Sequence, residues 1–220
     1  YEVSGQWDFA SGCRQATWMG AHCQVLEGDR ELRRNDRGIP IVRTLLFPAE
    51  QAELIDDWHV LGLCGTASDS YRVERLFVPE AFSSTREEPT SRREQGRLYA
   101  FTMFGLYAVG VAAVAYGSSR QMLTDFMDLA RAKKPRGLGR LADSNSVQGE
   151  VARAHAKLEA SASWLAHILG RLYDSVLPGQ VIDLEARAEV RLGSIQTIQC
   201  AVEVSEFCYR RAGVSAAQMN

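Results

Sequence analysis

The chain changes character near residue 97, and that change limits its fold more than any other feature. Before it, short apolar stretches alternate with turn-formers; after it come long stretches of helical composition. Glu2 to Phe9 alternates loosely and ends in a Ser-Gly turn, and Thr17 to Leu26 is a second apolar stretch. Asn35-Asp36-Arg37-Gly38 marks a turn, and Ile39 to Phe47 reads as a strand closed by Pro48. Tyr71 to Val78 alternates well, and Pro79 ends it. Short strands at this spacing predict a small sandwich or barrel. Ser83 to Gln95 is polar and reads as an exposed linker.

Beyond the linker, Leu98 to Ala132 carries no proline, and Lys133-Lys134-Pro135-Arg136-Gly137-Leu138-Gly139 breaks it. Asp143 or Ser144 is a plausible N-cap for a second helix that runs to about Val176 and stops before Pro178-Gly179. A third runs from about Ile182 to Ala212 and ends at Gly213. Helices of roughly 30 residues exceed the usual globular length. Joined by short loops, they predict an antiparallel bundle. The expected class is α+β: a β domain over residues 1–85, a linker over 86–96 and a helical bundle over 97–220.

Composition narrows the function. The net charge is -2 over 220 residues, with no basic excess to attract nucleic acid or an anionic membrane. The longest apolar run, around Val109 to Ala115, is too short to span a bilayer, and no secretory signal is visible. The five cysteines (13, 23, 64, 200 and 208) form no CxxC pair and are odd in number, which reads as reduced thiols in a cytoplasmic protein. The four histidines are scattered without ligand spacing, so no metal site is expected. The chain starts without Met, apparently inside a strand, and ends without a clear helix stop, so a fragment is expected.

Three segments could carry chemistry. In residues 5–18, GQWDFASGCRQATW, a Trp and a Phe flank a turn with Ser11 and Gly12 at its tip; Ser11 either aims at a ligand or satisfies its own backbone. In residues 58–70, WHVLGLCGTASDS, a Gly/Thr/Ser turn follows Trp58; it either binds a planar, polar-edged ligand or is a hairpin under a structural Trp. In residues 133–140, KKPRGLGR, clustered cations at a helix break suit a phosphate or form a solvated loop.

The order of these segments resembles the acyl-CoA dehydrogenase superfamily over nearly the whole chain. The middle-domain pattern of that superfamily is matched by Trp58, Gly62, Leu63, Gly65, Thr66, Ser68, Val73, Phe77, Val78 and Pro79. Cys64 and Ala67 stand where the pattern has Arg and Gly. The Tyr-Ala-x-x-Arg-x-x-Phe-Gly loop is degraded to residues 129–137, with Lys133 in place of the Arg and Arg136 in place of the Phe; Val147, Gln148 and Ala152 match the helix start that follows. Trp7-Asp8-Phe9-Ala10-Ser11-Gly12 and Arg211-Ala212-Gly213 look like the flavin-dependent monooxygenase (group D) branch rather than the dehydrogenases. That branch includes HsaA-type hydroxylases, p-hydroxyphenylacetate hydroxylase and dibenzothiophene monooxygenase.

The resemblance implies a middle β-barrel domain followed by the bundle, without the family's N-terminal helical domain and the end of the bundle. It implies an oxygenase that takes reduced FMN, or FAD, from a flavin reductase. It would react this with O2 through a C4a-hydroperoxyflavin and hydroxylate an aromatic or polycyclic substrate, shielded from water. Ser11 and Trp58 would be catalytic, Ser11 near flavin N5 and Trp58 walling the ring. Gly12, Thr66 and Ser68 would join them in holding the flavin, with Lys133 and Arg136 on its phosphate across an interface in a homo-oligomer, a tetramer. Cys64 is read as packing, His59 as a weak candidate, and His22, His155 and His167 as structural. An acyl-CoA dehydrogenase, or a non-catalytic oligomeric relative, are the alternatives.

Overall fold

The computed structural model describes residues 1–28, 31–85 and 92–217, which divide into two compact units, Tyr1–Ser91 and Arg92–Asn220. The linker expected over 86–96 falls partly on residues 86–91, outside the described residues.

The first unit is built from antiparallel sheets. β1 (Glu2–Trp7), β7 (Ser70–Phe77) and β6 (Glu53–Ile55) make one sheet in the order β1-β7-β6. β2 (Trp18–Gln24), β5 (Val42–Pro48) and β8 (Ser83–Ser84) make a second in the order β2-β5-β8, and β3 (Leu26–Glu27) pairs with β4 (Glu31–Leu32) in a small ribbon. Each larger sheet turns alternate side chains inward, as a half-buried strand must. Val3, Met19, Ala21, Leu45, Phe47, Tyr71 and Val73 meet in one core. Two bridges tie the sheets. The Tyr71 hydroxyl donates to the Gly20 carbonyl at 2.9 Å, and Trp7 Nε1 donates to the His22 carbonyl at 3.0 Å. Among the described residues no strand pairing joins the two sheets into a closed barrel.

The predicted strands are present with trimmed ends. Phe9 leaves β1 because its φ is 60°, and β7 begins one residue before Tyr71. Asn35 builds the expected turn: its Oδ1 accepts from the amides of Arg37 and Ile39, both at 3.0 Å. The short β6 strand carries no periodicity and escapes a reading of the sequence.

The second unit holds α1 (Met103–Ala132), α2 (Asn145–Ser175) and α3 (Leu184–Ala212). Thr102 caps α1 by accepting from the Gly105 amide, and Asp183 caps α3 by accepting from the Ala186 amide. Ser144 is the N-cap residue of α2 but makes no side-chain cap bond; its carbonyl accepts from the Gln148 amide at 3.0 Å. The pairing of α2 with α3 is antiparallel. Glu150 meets Arg211, Lys157 meets Glu203 and Arg171 meets Glu189, so position falls on α3 as it rises on α2. The core agrees: Leu123, Phe126 and Ala130 of late α1 pack with Val147, Ala154 and Leu158 of early α2 and with Val204 and Cys208 of late α3.

Small residues let α2 and α3 approach. Thr197 donates to the Gly193 carbonyl at 2.9 Å and lies 3.2 Å from the Ser161 carbonyl on α2. A Cβ on Gly193 would lie 2.9 Å from Ile168 Cδ1 and 3.1 Å from Leu165 Cδ1. Gly193→Val therefore overpacks this crossing, and a loss of about 1–3 kcal/mol of stability is expected in denaturant melts. Gly110→Ala on α1, where nothing lies within 4 Å of the added Cβ, is expected to be neutral or stabilising in the same measurement.

Candidate functional site

Two loops of the first unit, residues 8–17 and 56–69, come together at the end of β1 and the start of β7. Backbone bonds hold them: the Gly12 amide donates to the Thr66 carbonyl and the Ala10 amide to the Asp69 carbonyl, both at 3.0 Å. Among the described residues four non-glycine residues have positive φ, and three of them, Phe9, Leu63 and Ala67, lie in these loops. Such backbone is uphill by about 1–3 kcal/mol per residue and persists only where surrounding bonds over-determine it. Gly12, at φ 78°, brings main chain to the loop tip without a Cβ.

The contact between the loops is a row of hydroxyls. Ser11 Oγ lies 2.7 Å from Ser68 Oγ, and Ser68 Oγ lies 2.7 Å from Thr66 Oγ1, which donates to the Leu63 carbonyl at 2.8 Å. Each hydroxyl has one hydrogen, so the row has a direction. Thr66 donates to Leu63, hence Ser68 donates to Thr66, and Ser11 donates to Ser68. Ser11, exposed at the open end, is left with acceptor capacity. Trp58 stands at the same loop, half-buried, with Nε1 donating to that same Leu63 carbonyl at 3.1 Å. Phe9 meets the Trp58 ring edge-on, centroids 6.1 Å apart. Phe9, Leu61 and Leu63 are largely exposed, an apolar surround to a polar row.

Carboxylates fasten the loops from below. Asp69 is 1% exposed at its side chain. Its Oδ2 accepts from Arg14 Nε at 2.5 Å, and its Oδ1 accepts from Arg14 Nη2 at 3.1 Å and from the Trp58 amide at 3.2 Å. Arg14 also bonds Asp56. The Arg14 hydrogen bonds, against the opposing effect of burial, hold the Asp69 carboxyl down at about 2. Asp57 accepts from the Ser70 hydroxyl at 2.6 Å and from its amide at 2.8 Å, and these bonds lower its pKa.

Of the residues singled out from sequence, Ser11, Gly12, Trp58, Thr66 and Ser68 thus share one site. Lys133 and Arg136 lie in the second unit. Lys133 Nζ donates to the Ala212 carbonyl at 2.6 Å and to Ser215 Oγ at 3.0 Å, so its charge stabilises the C-terminal end of α3. Arg136 is exposed, with no side-chain partner among the described residues. Its loop borders a cavity of about 360 Å³ lined by Leu138, Arg140, Val147 and Arg211, whose two arginines are paired with Asp143 and Glu150.

One expectation needs correction. Cys64 is exposed rather than packed, its thiol directed at the Val60 carbonyl. His155 and His167 lie on the exposed face of α2. Arg14, Asp57 and Asp69 escaped notice because their partners lie 11 to 55 residues away; the only local hint was Arg14, the first cation in the chain. Among the described residues no cluster of side chains could hold a metal, and no helix is long and apolar enough to cross a membrane.

The chain is similar to known proteins in sequence and fold. Residues 109–220 match the family model "Acyl-CoA dehydrogenase, C-terminal domain". Indole-3-acetate monooxygenase of Acinetobacter baumannii is 26% identical over 220 residues, covering 99% of this chain and 54% of that protein. The oxygenase component of FADH(2)-dependent resorcinol hydroxylase from Rhizobium sp. is 32% identical over 183 residues, covering 78% of this chain and 43% of that protein. XiaF from Streptomyces sp., solved with FADH2 and glycerol, superimposes with a TM-score of 0.83 at 18% identity, over 100% of this chain and 56% of that one. The chain spans about half the length of the curated relatives it matches.

The Asp69 bonds make stability pH-dependent. Its folded pKa, about 2, lies below the unfolded value of about 3.9, so the stabilisation is complete above that value and lost as pH falls toward 2. In chemical melts, Asp69→Asn should be less stable than the parent at pH 7, and the gap should close as pH drops from about 4 to about 2.

Proposed function

The chain belongs to the acyl-CoA dehydrogenase family by its C-terminal domain, and from this premise we propose that it serves in the oxygenase component of a two-component flavin-dependent monooxygenase. The observation that carries the reading is the directed hydroxyl row of Ser11, Ser68 and Thr66 beside the Trp58 ring. An isoalloxazine needs a polar partner along its N5 and carbonyl edge and a flat apolar wall at its face. Both are present here, with an uncovered apolar surround.

Bound in reduced form, FMN or FAD supplies the electrons that activate O2 for transfer to an aromatic substrate. This chain's residues hold and shield it. Ser11 would meet the N5 edge, with Ser68 and Thr66 fixing its orientation, and Trp58 would wall the ring and keep water from it. The Gly12 backbone approaches closely. Arg136 would offer its fork to a flavin phosphate held by another subunit of the oligomer, while Lys133 shapes that loop through the end of α3. The reduced flavin comes from a separate flavin reductase, the bundle assembles the protein as a homo-oligomer, a tetramer, and unpaired cysteines suit the cytoplasm. The names of the relatives, a monooxygenase and a hydroxylase with aromatic substrates, support this reading over acyl-CoA oxidation.

The test uses the full-length protein with a flavin reductase, NADH, flavin and a panel of phenols and indoles, followed by mass spectrometry. A product gaining one oxygen atom is expected. Trp58→Ala should remain folded yet divert flux from hydroxylated product to hydrogen peroxide. Bleaching of a tightly held flavin by an acyl-CoA, with no oxygenated product, would instead establish a dehydrogenase.

A further inference from the structure

Among the described residues Asp69 is the one charged side chain that is buried. A buried carboxylate is costly unless paired and hydrogen-bonded. Its pairing here does more than neutralise it. Oδ1 accepts at once from Arg14 Nη2, on the Ser11 loop, and from the Trp58 amide, on the facing loop. Oδ2 fixes the plane of the guanidinium through Nε at 2.5 Å. The Asp69 carbonyl holds the Ala10 amide, one residue before Ser11, and its own neighbour Ser68 is the middle of the hydroxyl row. Arg14 reaches on to Asp56, at the stem of the Trp58 loop.

We propose that Asp69 and Arg14 are positioning residues of the flavin site: their two-pronged pair sets the Ser11 hydroxyl and the Trp58 ring at a fixed spacing. They act through Ser11, Ser68 and Trp58 rather than on the flavin itself. The inference rests on the flavin reading above. A guanidinium is required because only a planar fork can meet both carboxylate oxygens; a lysine in its place keeps the charge and loses the plane. Half-exposed Arg14 leaves the core untouched, so its substitution disturbs geometry more than folding.

The test is titration of full-length wild type, Asp69→Asn, Arg14→Lys and a control, Glu53→Gln, with oxidised FMN. The control breaks the exposed Arg72–Glu53 pair on the adjacent strands. Fluorescence quenching reads affinity, the visible absorption bands of bound FMN read its surroundings, and far-ultraviolet circular dichroism reads the fold. The expected result is FMN binding weakened about tenfold in Asp69→Asn, equivalent to one lost strong hydrogen bond. Arg14→Lys should lose less, the bands should shift in both, and Glu53→Gln should match wild type. Folded Asp69→Asn and Arg14→Lys proteins with wild-type affinity and spectrum would overturn the inference. If Asp69→Asn does not fold, Arg14→Lys decides alone: weakened binding with shifted bands supports the role, and wild-type behaviour overturns it. A wild type that binds neither FMN nor FAD, oxidised or reduced, overturns the flavin reading itself, and this inference with it.

Discussion

A carboxylate removed from water must find partners, and Asp69 finds them in two loops, at Arg14 and at Trp58, 44 positions apart in the chain. Most of what distinguishes the first unit follows from that requirement. With Arg14 and the Trp58 amide drawn to one side chain, the loops cannot relax away from each other. The positive φ values at Phe9, Leu63 and Ala67 are tolerated because the bonds around them leave no alternative. The Leu63 carbonyl accepts from both Trp58 and Thr66, so one strained residue orients the Trp58 ring and terminates the hydroxyl row.

The sheets supply a rigid base for this arrangement. Asp69 immediately precedes β7, which Ser70 opens and whose next residue, Tyr71, stacks on Trp7 with centroids 5.3 Å apart and bonds across to the second sheet. Residues that shape the loops are thus continuous with residues that lock the core. In the second unit small buried polar side chains return their hydrogens to the helix backbone, as Ser194 does to the Val190 carbonyl at 2.8 Å. Among the described residues no buried side-chain polar atom is left without a partner.

Much of this was legible in the chain, and the division follows a physical line. The three helices were readable because their breaks are chemical, Pro135 with Gly137 and Pro178 with Gly179, and because a long helix repeats its pattern many times. The strands were readable where they alternate, as from Tyr71 onward, and unreadable at β6, where three residues carry no period. Ser11, Thr66 and Ser68 stood out as hydroxyls in glycine-rich turns. That they bond one another depends on pairing between distant segments, which no local pattern encodes. The same holds for Arg14 with Asp69. Lys133 stood out for its charge, yet its bond to the Ala212 carbonyl follows from where α3 ends.

The central claim, that the site protects a reduced flavin during its reaction with oxygen, is tested most directly by stopped flow. The full-length protein is mixed anaerobically with reduced FMN and then with oxygen, and the return of oxidised flavin is followed by absorbance. The account predicts a clear delay relative to free reduced FMN, with an oxygenated species accumulating first. Reoxidation at the rate of free flavin, with no intermediate, would contradict it.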